Sequence, residues 1–218
     1  MGAHLRTFSL VDRIKQLEPG KRAEGRFSVP AHVSRFSTCL AAEAAGQLAA
    51  WVAMAELDFE VRPVAGVAAD MHFGTAVQPG QTLDLAIEID DCDKEAVTYS
   101  ARASTGGMRV VELERSGGPM LPMESFDAPD AMRSHYELLC GPGLAAGEFP
   151  GVPEHDIEVI EFGQTARAML KVPREAAFFS DHFPRRPVFP GTLLLDAHIQ
   201  LAVAAGERSG YWSAGVRL

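Results

Sequence analysis

A histidine, two isolated carboxylates and a glycine at a helix start are the groups in this chain whose types and spacing can do chemistry. His182 opens the run HFPRRPVFPG, in which Pro184, Pro187 and Pro190 fix φ and hold the loop in one shape. Gly191 closes that run at the start of an expected helix. Unpaired backbone N–H groups and the positive dipole end there can polarise a carbonyl oxygen. Asp196 falls in the second turn of this apolar helix, and Gln200 follows four residues on, so the two share a face. An earlier stretch repeats the arrangement. Glu43 is the only charged residue between Cys39 and Ala55, again with a glutamine, Gln47, four residues on. A lone carboxylate on a buried helix is costly unless it is paired, hydrogen-bonded or protonated. A raised pKa would let it act as a general acid near neutral pH.

The remaining reactive residue types read more plainly. His32, His72 and His198 have no metal-ligand spacing between them and are expected to be structural or on the surface. No metal site and no organic cofactor is called for. Cys39 starts a helix, where a thiol pKa can fall, but no base accompanies it in sequence and it is read as core. Met120, Met123 and Met132 fall in an irregular stretch and are read as packing. The acidic run 90–93 is read as a solvated turn.

The elements that must position these groups follow from periodicity and punctuation. A turn at Glu18-Pro19-Gly20 precedes a strand ending near Val29. Residues 38–57, rich in Ala and Leu, read as one helix that is apolar nearly all round and therefore wrapped by other structure. Strands are expected at 64–73, 82–89, 96–103 and 109–114, separated by turn signals. One buried helix followed by antiparallel strands makes an α+β domain with a sheet curled around a helix. Residues 117–153 read as a linker with a short helix over 128–139, residues 157–171 as a strand, and 192–207 as a second apolar helix.

The second half repeats the first. Glu43 aligns with Asp196 and Gln47 with Gln200, while Phe36-Ser37 aligns with Phe179-Ser180. The offsets differ by ten residues, which is the length of DHFPRRPVFP, an insertion in the second copy alone. This gives a first unit over 1–116, a linker over 117–153 and a second, partial unit over 154–218. Because Gly215-Val216 resembles the Gly66-Val67 that opens the first sheet, the second copy is expected to be cut short and the chain to be a fragment. The 218 residues carry a net charge of −9, with 47% hydrophobic and 22% charged residues. No basic excess exists to bind nucleic acid. The 38–57 stretch, interrupted by Glu43, Gly46 and Gln47, is read as a core helix and not as a membrane span. Three unpatterned cysteines and the absence of a signal-peptide pattern suggest the cytoplasm.

The loop and the helix after it resemble the bacterial 3-hydroxyacyl-acyl-carrier-protein dehydratases of the hot-dog type. Their pattern is H-F-P-x-x-P-V-x-P-G, then an acid fourteen residues after the histidine within (E/D)-A-x-x-Q. Here it is carried by His182, Phe183, Pro184, Pro187, Val188, Pro190, Gly191, Asp196, Ala197 and Gln200. FSLVDRIKQLEPGKR and QPGQTLDLAIEI are similar to other parts of that family. Asp181 stands where the family has glycine. The resemblance implies a tandem double hot-dog forming an internal pseudo-dimer, which can dimerise again. It also implies an acyl thioester on acyl-carrier protein or coenzyme A as substrate, and dehydration to a trans-2-enoyl thioester in fatty-acid or polyketide synthesis. Because the family shares its active site between two hot-dogs, His182 is expected to act as base opposite Glu43 as acid. Asp196 would then face a first copy without a histidine. Phe183, Phe189, Pro190, Gly191, Gln47 and Gln200 are expected around the substrate. A hot-dog thioesterase and a non-catalytic acyl-thioester binding module are the alternatives.

Overall fold

The computed structural model describes residues 7–64, 66–145, 148–162 and 165–209. The first half is one antiparallel sheet curled around a helix. Its elements are β1 (Arg13–Glu18), β2 (Arg22–Ser28), α1 (Thr38–Glu56), β3 (Val61–Pro63), β4 (Val67–Phe73), β5 (Thr82–Cys92), β6 (Ala96–Thr105) and β7 (Met108–Pro122). The strand order is β1-β2-β5-β6-β7-β3, and β4 also pairs with β7. In β2 and β5 the buried residues alternate, so Ala23 and Phe27, with Leu83, Leu85 and Ile87, point to one face. That face meets α1. The helix buries Leu40, Ala44, Leu48, Trp51 and Val52 among others, and its many alanines let strands approach from several sides. Gly25 of β2 shows the closeness, since a Cβ there would lie 3.3 Å from a methyl of Leu48. Ser37 caps α1, its hydroxyl accepting from the Cys39 N–H at 3.1 Å. By length and composition alone α1 could cross a membrane, but it is the core around which this sheet closes.

Two expectations for the middle of the chain are corrected. The strand expected to stop at Glu114 runs on to Pro122, so residues 117–122, read as linker, belong to the sheet. Their glycines are there for close approach and not for flexibility. A Cβ at Gly117 would sit 2.1 Å from the Val97 carbonyl oxygen, and one at Gly118 would sit 1.9 Å from that of Val64. After a short 3-10 turn at Met123–Ser125 comes α2 (Pro129–Cys140), entered through a proline at its first position. It packs Met132 and Leu139 into the same core, and His135 stacks on Trp51 with ring centroids 5.2 Å apart.

The second half has β8 (Ile157–Phe162), β9 (Ala166–Leu170), a 3-10 turn at Ala177–Ser180 and α3 (Gly191–Ser209). The single strand expected over 157–171 is an antiparallel hairpin. The β-rich composition that suggests one strand serves equally for two. The repeat of Gly66-Val67 at Gly215-Val216 lies outside the described residues. α3 packs against α1, so the two apolar helices meet at the centre of the chain.

Candidate active site

A cavity of about 510 Å³ lies between α1, the β3, β4 and β7 end of the sheet, and the loop that leads into α3. His182, Glu43, Gly191, Phe183, Phe189 and Gln47 all line it; Pro190, Asp196 and Gln200 do not.

His182 is fixed on three sides. Its Nδ1 lies 2.8 Å from the Val188 carbonyl oxygen, which can only accept, so Nδ1 carries a proton and the lone pair of the neutral ring falls on Nε2. Its ring stacks on Phe183 at 4.3 Å, and the Phe8 ring meets it edge-on at 5.6 Å. The backbone closes the loop on itself, with the Val188 N–H donating to the His182 carbonyl at 2.9 Å. Asp181, buried beside it, accepts from the Thr7 N–H (2.6 Å), the Thr7 hydroxyl (2.9 Å) and the Phe8 N–H (2.8 Å). The carboxylate that replaces the family's glycine thus ties the N-terminal segment to the histidine loop.

Glu43 is held from both halves of the chain. The Gln47 side-chain N–H donates to its Oε1 at 3.0 Å and the Thr192 hydroxyl to its Oε2 at 2.8 Å. Gln47 is itself anchored, accepting from the Leu10 N–H and donating to the Phe8 carbonyl. Gly191 begins α3 at the cavity wall, and a Cβ built on it would meet nothing within 4 Å. The space beside that helix start is open. A lone-pair nitrogen, a hydrogen-bonded carboxyl and a helix N-terminus on one largely apolar cavity are suited to proton transfer next to a carbonyl.

The family model of the FabA-like domain matches residues 155–211. That FabA-like segment contains β8, β9, the histidine loop and most of α3. The chain is 35% identical over 66 residues to a 3-hydroxyacyl-acyl-carrier-protein dehydratase FabZ of a Polaromonas species, covering 26% of this chain and 46% of that protein. A FabZ of Paracidovorax citrulli is 47% identical over 47 residues, 22% of this chain and 30% of that one. The match thus spans less than half the length of these curated relatives. Among solved structures, the fluoroacetyl-CoA thioesterase FlK aligns at a TM-score of 0.42 and 13% identity, over 50% of this chain and 92% of that one. The dehydratase heterocomplex ApeI:P from Xenorhabdus doucetiae aligns at 0.41 and 11%, over 51% and 83%.

Asp196, in the FabA-like segment, faces Arg35 and Ser37 of the first half, which offers it no histidine. It is buried, and its Oδ1 accepts from Arg35 at 2.7 Å and from the Ser37 hydroxyl at 2.5 Å. Its Oδ2 lies 3.1 Å from His155 Nε2 and accepts from Gln200 at 2.8 Å. The histidine comes from the second half itself, just before β8. Cys39 stands beside this cluster, and burial pushes its thiol up to about 11, the reverse of the fall that a helix start suggests. The two helices mirror each other. Each carboxylate takes a bond from the glutamine four residues on and another from a hydroxyl at the start of the opposite helix: Thr192 for Glu43, Ser37 for Asp196.

Sequence reasoning missed Thr192, Arg62, Arg35 and His155. Thr192 and Ser37 carried a signal, being hydroxyl residues at the starts of the two repeated helices. Arg62 and His155 carried none, because only the folded chain brings them to the helices.

Proposed function

We propose that this chain is a hydro-lyase that removes water from a 3-hydroxyacyl thioester, giving a trans-2-enoyl thioester in fatty-acid or polyketide synthesis. The acyl group would be carried on acyl-carrier protein or coenzyme A, and its three free thiols suit a reducing cytoplasm. The observation that carries the reading is that His182, in the Nδ1-protonated tautomer, and Glu43 line one cavity with the start of α3.

In this reading His182 Nε2 takes the C2 proton, and the electron pair of that C–H bond becomes the C2–C3 double bond. The Gly191 N–H supports the negative charge that builds on the thioester oxygen. Glu43, held by Gln47 and Thr192, gives its proton to the C3 hydroxyl, and the C3–O bond breaks to release water. Proton exchange between imidazolium and carboxylate then resets the pair. We take the two halves as an internal pseudo-dimer with one working site. The reciprocal hydroxyl-to-carboxylate bonds between α1 and α3 support this. In the second position Asp196, enclosed by Arg35, Ser37 and His155, fastens the halves together.

Hydration of trans-2-enoyl thioesters, followed by loss of the conjugated absorbance, tests the proposal. Wild type is expected to turn over, and His182→Ala to lose roughly 10²- to 10⁴-fold in kcat. Release of free thiol with the alkene untouched would mark a thioesterase instead. Binding without turnover in a folded protein would mark a binding module.

A further inference from the structure

The cavity wall is mostly apolar, with Ala42, Ala50, Trp51, Met54 and Leu113 along it, as a plain alkyl chain would require. Three polar side chains interrupt it from the sheet side: Arg62 on β3, Tyr99 on β6 and Ser116 on β7. Tyr99 and Ser116 stand directly opposite each other in the β6–β7 register and therefore share a face. The Tyr99 hydroxyl reaches α1 one turn from Glu43, since a Cβ at Gly46 would lie 3.2 Å from it. The Arg62 guanidinium lies 4.0 Å over the Phe183 ring, and that ring is stacked on His182. The polar strip thus runs close to the reacting groups. Arg62 Nε and Ser116 Oγ are buried with no hydrogen-bond partner among the described residues. Buried polar atoms are nearly always satisfied, and those that are not call for an explanation.

We propose that the cavity takes a 3-hydroxyacyl chain bearing a further neutral oxygen, a keto or hydroxyl group beyond C3, and that Arg62, Tyr99 and Ser116 recognise it. The inference rests on the dehydratase reading and names its substrate class. A saturated alkyl tail would leave Arg62 Nε and Ser116 Oγ unbonded, whereas an oxygen on the chain offers them and the Tyr99 hydroxyl a partner. A neutral oxygen suits the site better than a carboxylate. Asp127 is already within electrostatic reach of the Arg62 charge, and Asp181 adds a carboxylate to the wall. Burial holds the Tyr99 phenol up at about 12, so it remains a donor throughout the working pH range.

The test is a matched set of trans-2-enoyl N-acetylcysteamine thioesters of one chain length: unsubstituted, 5-hydroxy, 5-keto and ω-carboxylate. Wild type should favour the hydroxy or keto chain over the plain one by at least about tenfold in kcat/KM. In Arg62→Met, Tyr99→Phe and Ser116→Ala that ratio should collapse toward one. The ratio is internal to each protein, so a general loss of activity does not imitate the result. A wild-type ratio of one or below, a preference for the carboxylate, or variants that keep the ratio would each overturn the inference. If no thioester is turned over, the dehydratase reading fails, and calorimetry with non-reacting amide analogues of the plain and 5-hydroxy chains decides the subsite separately. Tighter binding of the oxygenated chain upholds it and equal binding overturns it.

Discussion

Glu43 and Asp196 occupy equivalent positions on two helices, yet their surroundings differ. Glu43 has two hydrogen bonds and an open cavity in front of it. Asp196 is enclosed by an arginine, a serine, a histidine and a glutamine, which leave it no face for a substrate. Glu43→Gln should therefore lower hydration activity by about 10²- to 10⁴-fold with little change in Tm. Asp196→Ala should retain most activity but lose roughly 1–3 kcal/mol of stability, because the buried Ser37 hydroxyl and His155 ring lose their partner while the exposed Arg35 returns to water. Steady-state kinetics and urea unfolding of the two variants check this. The reverse pattern, with Glu43→Gln active and Asp196→Asn dead, would exchange their roles.

The histidine loop is an element held from outside itself. Prolines restrict its path, but the position of His182 also depends on Phe8, which reaches it because Asp181 binds the Thr7 and Phe8 N–H groups. The N-terminal segment is the same one that anchors Gln47, and through it Glu43. One strap thus holds both His182 and Glu43, the proposed base and acid. Asp181→Ala should free residues 7–8, which limited proteolysis would detect as earlier cleavage near Thr7. Activity should fall roughly tenfold to a hundredfold, as expected when reacting groups lose their alignment. Unchanged proteolysis together with unchanged kcat would show that the loop is rigid without the strap.

Across the whole molecule the two halves are built unequally. In the first, β5 and β6 lie inside a seven-stranded sheet over a filled core. In the second, β8 pairs only with β9 among the described residues, and Val159, Ile160 and Met169 on this hairpin are exposed. Local opening free energy follows buried apolar contact. Hydrogen exchange should therefore be fastest for β8 and β9 amides, and slowest, near the limit set by global unfolding, for β5 and β6. Equal protection in both sheets, measured by mass spectrometry of their peptides, would contradict this account.

The sequence by itself determined the α+β class, the two apolar helices and the proline-stiffened loop. These depend on local signals: an apolar run long enough for a wrapped helix, alternation in β2 and β5, and prolines that restrict a loop whichever way the chain folds. It also determined that Glu43 and Asp196 are equivalent, because i,i+4 spacing to a glutamine is a property of the helix alone. Only the tertiary structure decided which carboxylate shares a cavity with His182, since that depends on how α1 and α3 meet. The same holds for the Asp196 cluster, whose Arg35, Ser37 and His155 are far from it in sequence. The extent of β7 was hidden for a related reason. Gly117 and Gly118 read as a linker until the carbonyls of Val97 and Val64 show that no side chain fits there. Arg62, likewise, is an unremarkable arginine in a strand until the fold lays it over Phe183 at the mouth of the chemistry.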